Sequence, residues 1–400
     1  MVDPVGAFPS QVDGSGADTR AAESSRPSLC FVAPNAYNVL SGRNDLKHIG
    51  GAERQQVILA RELHCRGYSV SFITLDHEQP DGIQHHGITV YVAYAKGAGL
   101  PGLRFLHPRW TGLWAAMARA DADVYYTRCA GYEVGQAALW CRRHRRRFIF
   151  SAASDTDCLA QLPRLDSARE RCLYRWGLRR ANAIIAQTAA QQRLLLEHFG
   201  LASTVVPNCC PAPPAEEMVE FTHAPDRQPH VLWIGRIAEP KRLEWLLDVA
   251  ERCPRVVFDV VGAAGGQSAY ATSLSQRAAG IPNVVMHGRV PHDETPRFYR
   301  RATVLCCTSL YEGFPNTFLE AWSRGLPVVS TFDPDGVIAR HGLGWVTDTV
   351  DGLVDHLERV CTSPETWRAA SAAARHYCVQ NHSVDASVGR LEQVISASMK

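Results

Sequence analysis

The sequence predicts an α/β protein built of two doubly wound domains that face each other across a cleft. Three observations predict it. Short apolar segments alternate with amphipathic helical ones along most of the chain, the pattern of parallel sheets covered by helices. The alternation stops at a proline-rich stretch, residues 211–217 (PAPPAEE), and then restarts. The length of 400 residues exceeds what a single hydrophobic core ordinarily organises.

The elements follow in order. Residues 1–27 are rich in Gly, Ser, Pro and Asp and hold no apolar run, so a disordered tail is expected rather than a signal peptide. The first domain is expected over 28–207. It opens on a strand at 29–33 (LCFVA), followed by a polar loop that ends at Gly50 and Gly51. Residues 52–67 carry helical spacing at Val57, Leu59, Ala60 and Leu63 and stop at a glycine. Strands are expected at 68–74, 123–127, 148–151, 183–186 and 204–206, with helices between most of them. A linker spans 208–217, and the second domain runs over 218–400, its last helix free to pack back on the first domain. Its expected elements are strands at 230–234, 256–261, 283–287, 303–307 and 327–330, with helices at 241–252 and 319–324. In such folds, ligands bind beyond the carboxyl ends of the strands.

Composition narrows the class. Hydrophobic residues make up 46% and charged ones 20%, as in a globular protein, and no apolar run is long enough to span a bilayer. The 13 cysteines are scattered without metal-ligand spacing, which predicts free thiols and a reducing cytoplasm. The net charge of +2 hides an asymmetry. Residues 28–205 hold 22 Lys/Arg and 14 Asp/Glu (+8), whereas 206–400 hold 18 and 22 (−4). The basic half permits an anionic partner: a phosphate, a diphospholipid or a membrane surface. The segment 169–180 (RERCLYRWGLRR) reads as a basic amphipathic helix whose Leu173, Trp176 and Leu178 could rest on anionic lipid. No nucleic-acid module surrounds it or the run 142–147 (RRHRRR).

The most informative stretch is 308–331 (TSLYEGFPNTFLEAWSRGLPVVST). Glu312 and Glu320 flank a Gly-Phe-Pro-Asn turn where a strand hands over to a helix. A helix start there offers free N–H groups to an anion. The carboxylates can accept hydrogen bonds from sugar or ribose hydroxyls. A plainer reading stands beside this one: Thr317 to Glu320 matches a capping box, and Glu312 could be a solvated loop residue. In 231–250 (VLWIGRIAEPKRLEWLLDVA), Arg236 follows a strand-end glycine and Lys241 opens a helix, so both can meet phosphate oxygens. Ordinary surface cations are the alternative. Gly50 and Gly51 before a helix would let backbone approach a phosphate, a weak signal alone. Residues 258–266 (FDVVGAAGG) lack dinucleotide-binding spacing. Three Asp-x-Asp pairs occur: Asp121/Asp123, Asp155/Asp157 and Asp333/Asp335. Only Asp155 and Asp157 follow a strand on the side where ligands bind, and a loop or cap role competes there.

These residues resemble the retaining glycosyltransferases of family 4, also called glycosyl transferases group 1. Glu312 and Glu320 match that family's E-x7-E motif, Arg236 and Lys241 its donor phosphate pair, and Gly50-Gly51 its first-domain glycines. Residues 183–208 match its approach to the interdomain linker. The resemblance implies a GT-B fold of two Rossmann-like domains. It implies that Arg236 and Lys241 bind the diphosphate of a nucleotide sugar, that Glu320 accepts from the ribose, and that Glu312 contacts the transferred sugar. The backbone of Phe314, Pro315 and Asn316 would hold sugar and phosphate, Gly288 to Val290 would border the base, and Gly51 would approach from the facing domain. Many relatives carry a histidine after the strand equivalent to 148–151; here Asp155 or Asp157 stands in that region. No metal or cofactor is expected, and the acceptor would be a lipid-linked, polysaccharide or other glycan hydroxyl. A peripheral site on the inner face of the plasma membrane fits the basic half. A sugar-nucleotide epimerase, a phosphorylase and a non-catalytic nucleotide-sugar binding protein are the alternatives on the same fold.

Overall fold

A computed structural model describes residues 26–42, 50–221, 228–266 and 268–400. Of the expected tail, residues 1–25 lie outside the described residues.

Two sheets form, one per domain. The first contains β1 (Leu29–Val32), β2 (Val70–Asp76), β3 (Ile83–His85), β4 (Ile88–Ala95), β5 (Val124–Arg128), β6 (Arg147–Ser151), β7 (Ala183–Ala186) and β8 (Thr204–Val205). Its order is β3-β4-β2-β1-β5-β6-β7-β8, and every pairing is parallel except β3 with β4. The second contains β9 (His230–Ile234), β10 (Val257–Val261), β11 (Val284–Gly288), β12 (Val304–Cys307), β13 (Val328–Ser330) and β14 (Gly344–Val346). Its order is β11-β10-β9-β12-β13-β14, all parallel. Strands such as β1 are buried on both faces, which is why they read as unbroken apolar runs. In each sheet the chain reverses winding direction beside the first strand, between β1 and β5 and between β9 and β12, opening a crevice at the carboxyl ends.

Three strands were not among those expected. β3 and β14 are three residues each, too short for a readable alternation. β4 buries only Ile88 and Val90, because it lies next to the sheet edge, and it is reached through a tight turn with His86 and Gly87 at positive φ. The helix expected at 241–252 runs over Leu243–Arg252, since Glu239–Lys241 forms a separate 3-10 turn closed by Arg242 at φ 46°.

The chain crosses between domains twice. Helix Pro364–His382 packs Trp367, Ala374 and Cys378 into the second core. Ser383 then caps helix Val384–Met399, which places Val388, Leu391, Val394 and Ile395 in the first core. All thirteen cysteines are free thiols.

Asp259, only 2% exposed within β10, accepts hydrogen bonds from His230 Nδ1 (2.8 Å) and His287 Nε2 (2.7 Å) and pairs with Arg301. Burial alone would raise its pKa, but these three donors outweigh it and hold the carboxyl below its usual range. A depressed carboxyl stabilises the fold above its unfolded pKa, and this is lost as pH falls through the folded value. Asp259→Asn is expected to cost about 2 kcal/mol at pH 7, with a smaller cost in acid. Urea midpoints at pH 7 and pH 4 check this, and equal midpoints for the two proteins at pH 7 would contradict it.

Candidate functional site

On the second domain, β12 leads through residues 308–315 into helix Asn316–Ser323. Buried Thr308 organises the loop: its hydroxyl donates to the Lys241 carbonyl (2.7 Å) and accepts from Trp233 Nε1 (3.1 Å). Arg242 donates to the carbonyls of Thr308 and Ser309 (2.8 and 3.3 Å). The turn carrying Lys241 is thereby fixed against the loop carrying Glu312. Lys241 Nζ pairs with Glu312 Oε1, which also accepts from Ser309 Oγ (2.7 Å). The two side chains are 28% and 17% exposed, half-sheltered but reachable. Arg236 follows β9 and is exposed, forms no ion pair with any described residue, and lies over the glycine-rich loop near Gly265. Gly288 ends β11 at φ 65° and Val290 packs on the core edge behind it.

Glu320 does not cap its helix. The N-cap is Pro315, with no side-chain cap, so Thr317 and Glu320 form no capping box. The Glu320 carboxylate instead accepts from Tyr299 OH (2.7 Å) and lies 3.2 Å from His292 Nε2 and 3.8 Å from Arg54 Nη1. Arg54 also bonds His292 Nδ1. Arg54 belongs to helix Gly51–Cys65 of the first domain, so this cluster bridges the lobes. Burial lowers the Arg54 pKa, and Glu320 offsets part of that.

The facing lobe supplies the rest. Gly50 caps helix Gly51–Cys65 with extended backbone. The Gly51 carbonyl accepts from Asn316 Nδ2 (2.9 Å), and a Cβ on Gly51 would sit 2.8 Å from that nitrogen. Asn316 Oδ1 accepts from Gln55 (3.2 Å) and from Asn208 (3.1 Å), and Asn208 also donates to the Phe314 carbonyl (3.1 Å). Asn208 is itself held by Arg128 (2.6 Å) and by His382 Nδ1 on its carbonyl (2.7 Å). The Phe314 N–H donates to Gln187 Oε1 (3.3 Å). The lobes also meet at Gly313, where a Cβ would stand 2.7 Å from the Ala153 carbonyl oxygen. Gly313→Ala is therefore expected to hold the lobes apart, lowering kcat at least tenfold with little change in melting temperature. Steady-state kinetics beside a thermal melt check it, and unchanged kcat would contradict it.

Asp155 lies at this contact. Its Oδ1 accepts from Gln191 Nε2 (3.0 Å). Burial, reinforced by the negative charge of Asp335, Asp157 and Glu312, pushes its pKa up to about 6, although the Gln191 bond opposes this. Asp157 is different. It is 1% exposed, and its Oδ2 accepts from the Ala153 and Ser154 N–H groups (2.9 and 3.1 Å) in a capping box with Ser154. That places Asp157 as the brace of the turn rather than a group facing the cleft; Asp155 faces it. The other acidic pairs are also structural. Asp123 holds Ser28 and Arg146, Asp121 pairs with Arg146, Asp333 accepts from the Ile338 and Ala339 N–H groups, and Asp335 accepts from the first N–H groups of helix Ala189–Phe199 across the lobes. Among the described residues, no group of three or more His, Cys, Asp or Glu side chains is arranged to hold a metal.

The expected lipid-facing helix needs a correction. In Ala168–Leu178, Tyr174 and Leu178 are fully buried, and Trp176 packs on the core beneath Arg180. Gly135 and Gly177 let this helix lie directly on helix Tyr132–His144, so its apolar side meets protein. Sequence reasoning missed Arg54, Gln55, Gln187, Gln191, Asn208, His292 and Tyr299. The only advance signal was the presence of amides within otherwise apolar or strand-end segments (GGAERQQ, IIAQT, VVPN).

Comparison with known proteins bears on the family and the fold. The model described as "Glycosyltransferase Family 4" matches residues 49–212, and the one described as "Glycosyl transferases group 1" matches 228–363. A 2-deoxystreptamine N-acetyl-D-glucosaminyltransferase of Streptomyces fradiae is 30% identical over 207 residues, 48% of this chain and 46% of that protein. A 2-deoxystreptamine glucosyltransferase of Streptomyces kanamyceticus is 27% identical over 214 residues, 50% and 52% of the two chains. The chain thus spans about half the length of these relatives. Among solved structures, sucrose-phosphate synthase from Thermosynechococcus elongatus superposes with a TM-score of 0.74 at 17% identity, covering 93% and 98% of the two chains. Anabaena HepE, solved with UDP and glucose, gives 0.73 at 17% identity, covering 93% and 100%. With its first domain matched by the family 4 model and its second by the group 1 model, this chain belongs to the group 1 glycosyltransferases of family 4, and the solved structures share its GT-B fold.

Proposed function

We propose that this protein moves a sugar from a nucleoside-diphosphate sugar to a hydroxyl of a glycan or lipid-linked acceptor, with retention and without a metal ion. The observation that carries this reading is the Lys241–Glu312 pair, fixed by Thr308, Ser309 and Arg242 on the second domain, with the negative charge of Glu312 felt by Asp155 of the facing one. Breaking the anomeric C–O bond puts negative charge on the departing diphosphate. Lys241, Arg236 and the first amides of helix Asn316–Ser323 meet that charge, and a single oriented donor of this kind is worth about 3–4 kcal/mol. The acceptor oxygen forms the new bond on the face the diphosphate leaves, and its proton passes to a leaving phosphate oxygen. Glu312 holds the sugar hydroxyls and Asp155 orients the acceptor hydroxyl. Ribose hydroxyls displace His292 and Arg54 from Glu320, the phosphates reach Gly51 as Asn316 yields, and the base lies along Gly288 to Val290. Closure at Gly313 excludes water, so transfer outruns hydrolysis. The glucosyl and N-acetylglucosaminyl transfers named for the relatives, with the UDP and glucose bound in HepE, support UDP-hexoses as the first donors to test. A cytoplasmic protein working at the inner membrane face fits this reading when the acceptor is lipid-linked.

The test is incubation with a panel of UDP- and GDP-sugars and glycan acceptors, with and without chelator. Release of nucleoside diphosphate with matching glycoside formation, undiminished by chelator, is expected. Isomerised sugar nucleotide, phosphorolysis, or binding without turnover would replace the proposal with an epimerase, a phosphorylase or a binding protein.

A further inference from the structure

The segment between β4 and β5 leaves the first sheet at a carboxyl end, the side that faces the cleft. Its turn exposes three leucines within seven residues: Leu100, Leu103 and Leu106 are 70%, 59% and 59% exposed. Contiguous exposed apolar side chains mark a contact surface, unlike the isolated ones that every protein carries. The turn is folded, so the leucines are held outward. Leu103 and Arg104 N–H both donate to the Leu100 carbonyl (3.1 and 2.8 Å). Phe105 is buried beneath, its ring edge-on to Trp110 and Tyr132 and covered by Arg169 at 3.8 Å.

Along the chain, the charge carried by this segment is of one sign. From residue 82 to 120 there is no Asp or Glu, while Lys96, Arg104, Arg109 and Arg119 are present. Arg119 is taken by Asp81, whereas Lys96, Arg104 and Arg109 form no ion pair with any described residue. An apolar tip flanked by Lys96, Arg104 and Arg109 suits a surface that is hydrocarbon within and anionic at its face.

We propose that Leu100, Leu103 and Leu106, flanked by Lys96, Arg104 and Arg109, dock the first domain on an anionic lipid bilayer. The cleft edge then lies at the membrane, where a lipid-linked acceptor arrives; the proposal rests on the transferase reading only for that purpose. It assigns the contact to this turn and not to the packed helix Ala168–Leu178.

The test is co-sedimentation of the full chain with vesicles of 30% phosphatidylglycerol in phosphatidylcholine, against pure phosphatidylcholine, at low and high salt. Binding is expected to anionic vesicles, to weaken at 0.5 M salt, and to fall at least tenfold in Leu100→Ser/Leu103→Ser/Leu106→Ser. The variant should keep the wild-type melting temperature and its rate on a water-soluble acceptor. Wild-type protein that stays in the supernatant at low salt, or a triple variant that pellets like wild type, overturns the proposal. So does a wild-type dimer by light scattering that the variant dissolves, because the leucines would then cover a second copy. Lost vesicle binding with intact donor turnover counts against the docking surface alone. Vesicle binding without any turnover counts against the transferase reading alone.

Discussion

Lys241→Ala is expected to lower transfer at least a hundredfold while the protein stays folded. The lysine is a half-sheltered cation whose one carboxylate partner, Glu312, also accepts from Ser309. Ion pairs this close to solvent are worth about 0–1 kcal/mol to folding, so the melt should barely move. Charge that appears only as the diphosphate departs is another matter, because a preorganised donor there acts on the barrier and costs about 10²–10³ in rate when removed. Glu312→Ala should match it in rate, since the sugar loses its carboxylate partner and Lys241 loses the group that aims it. Lys241→Arg should rescue only in part, because a planar fork cannot reproduce a compact ammonium on the same turn. Single-turnover rates and melts of the three variants check this. A Lys241→Ala enzyme with near-normal turnover would remove the lysine from the site.

Asp155→Asn should become more stable and less active at once. Its carboxyl titrates near pH 6 in the folded protein, above the ordinary carboxylate value. A raised carboxyl favours folding in its protonated form: that contribution is full below the unfolded pKa, about 4, and is lost as pH rises through about 6. Asparagine never ionises and can still accept from Gln191. The variant should therefore match wild type near pH 4 and exceed it by about 1–2 kcal/mol at pH 8, a shift of this size being discounted for the group's partial exposure. Wild-type transfer should rise with pH through a midpoint near 6 as the carboxylate forms, and the variant should lack that limb. Urea titrations at both pH values and a pH–rate profile check both halves. A variant with wild-type rate and the same pH profile would leave Asp155 a structural residue.

That Arg236, Lys241, Glu312 and Glu320 share one sheet edge was readable in advance because its parts are consecutive. Arg236 and Lys241 sit on one strand–turn, and Glu312 and Glu320 on one loop–helix, so spacing alone brings them to one sheet edge. The first-domain side was not, because its partners are far apart in the chain. Arg54 meets Glu320, Gln55 and Asn208 meet Asn316, and Asp335 accepts from the first N–H groups of helix Ala189–Phe199, and no local pattern encodes such pairs. Amphipathicity misled at residues 169–180 for a related reason. It reports that a helix has an apolar face, not whether that face meets lipid or helix Tyr132–His144. Conversely, the leucines at 100, 103 and 106 follow neither a helical nor a strand period, and only the folded turn reveals them as one surface.

On the proposed mechanism, Arg236 and Lys241 grip a nucleoside diphosphate without help from a metal. Isothermal titration of UDP and GDP in excess chelator, against wild type and Arg236→Ala/Lys241→Ala, tests it most directly. Saturable binding of one of them to wild type is expected, with affinity at least a hundredfold weaker in the double variant. Equal affinity in the two proteins, or wild-type binding that appears only when a divalent cation is restored, would contradict it.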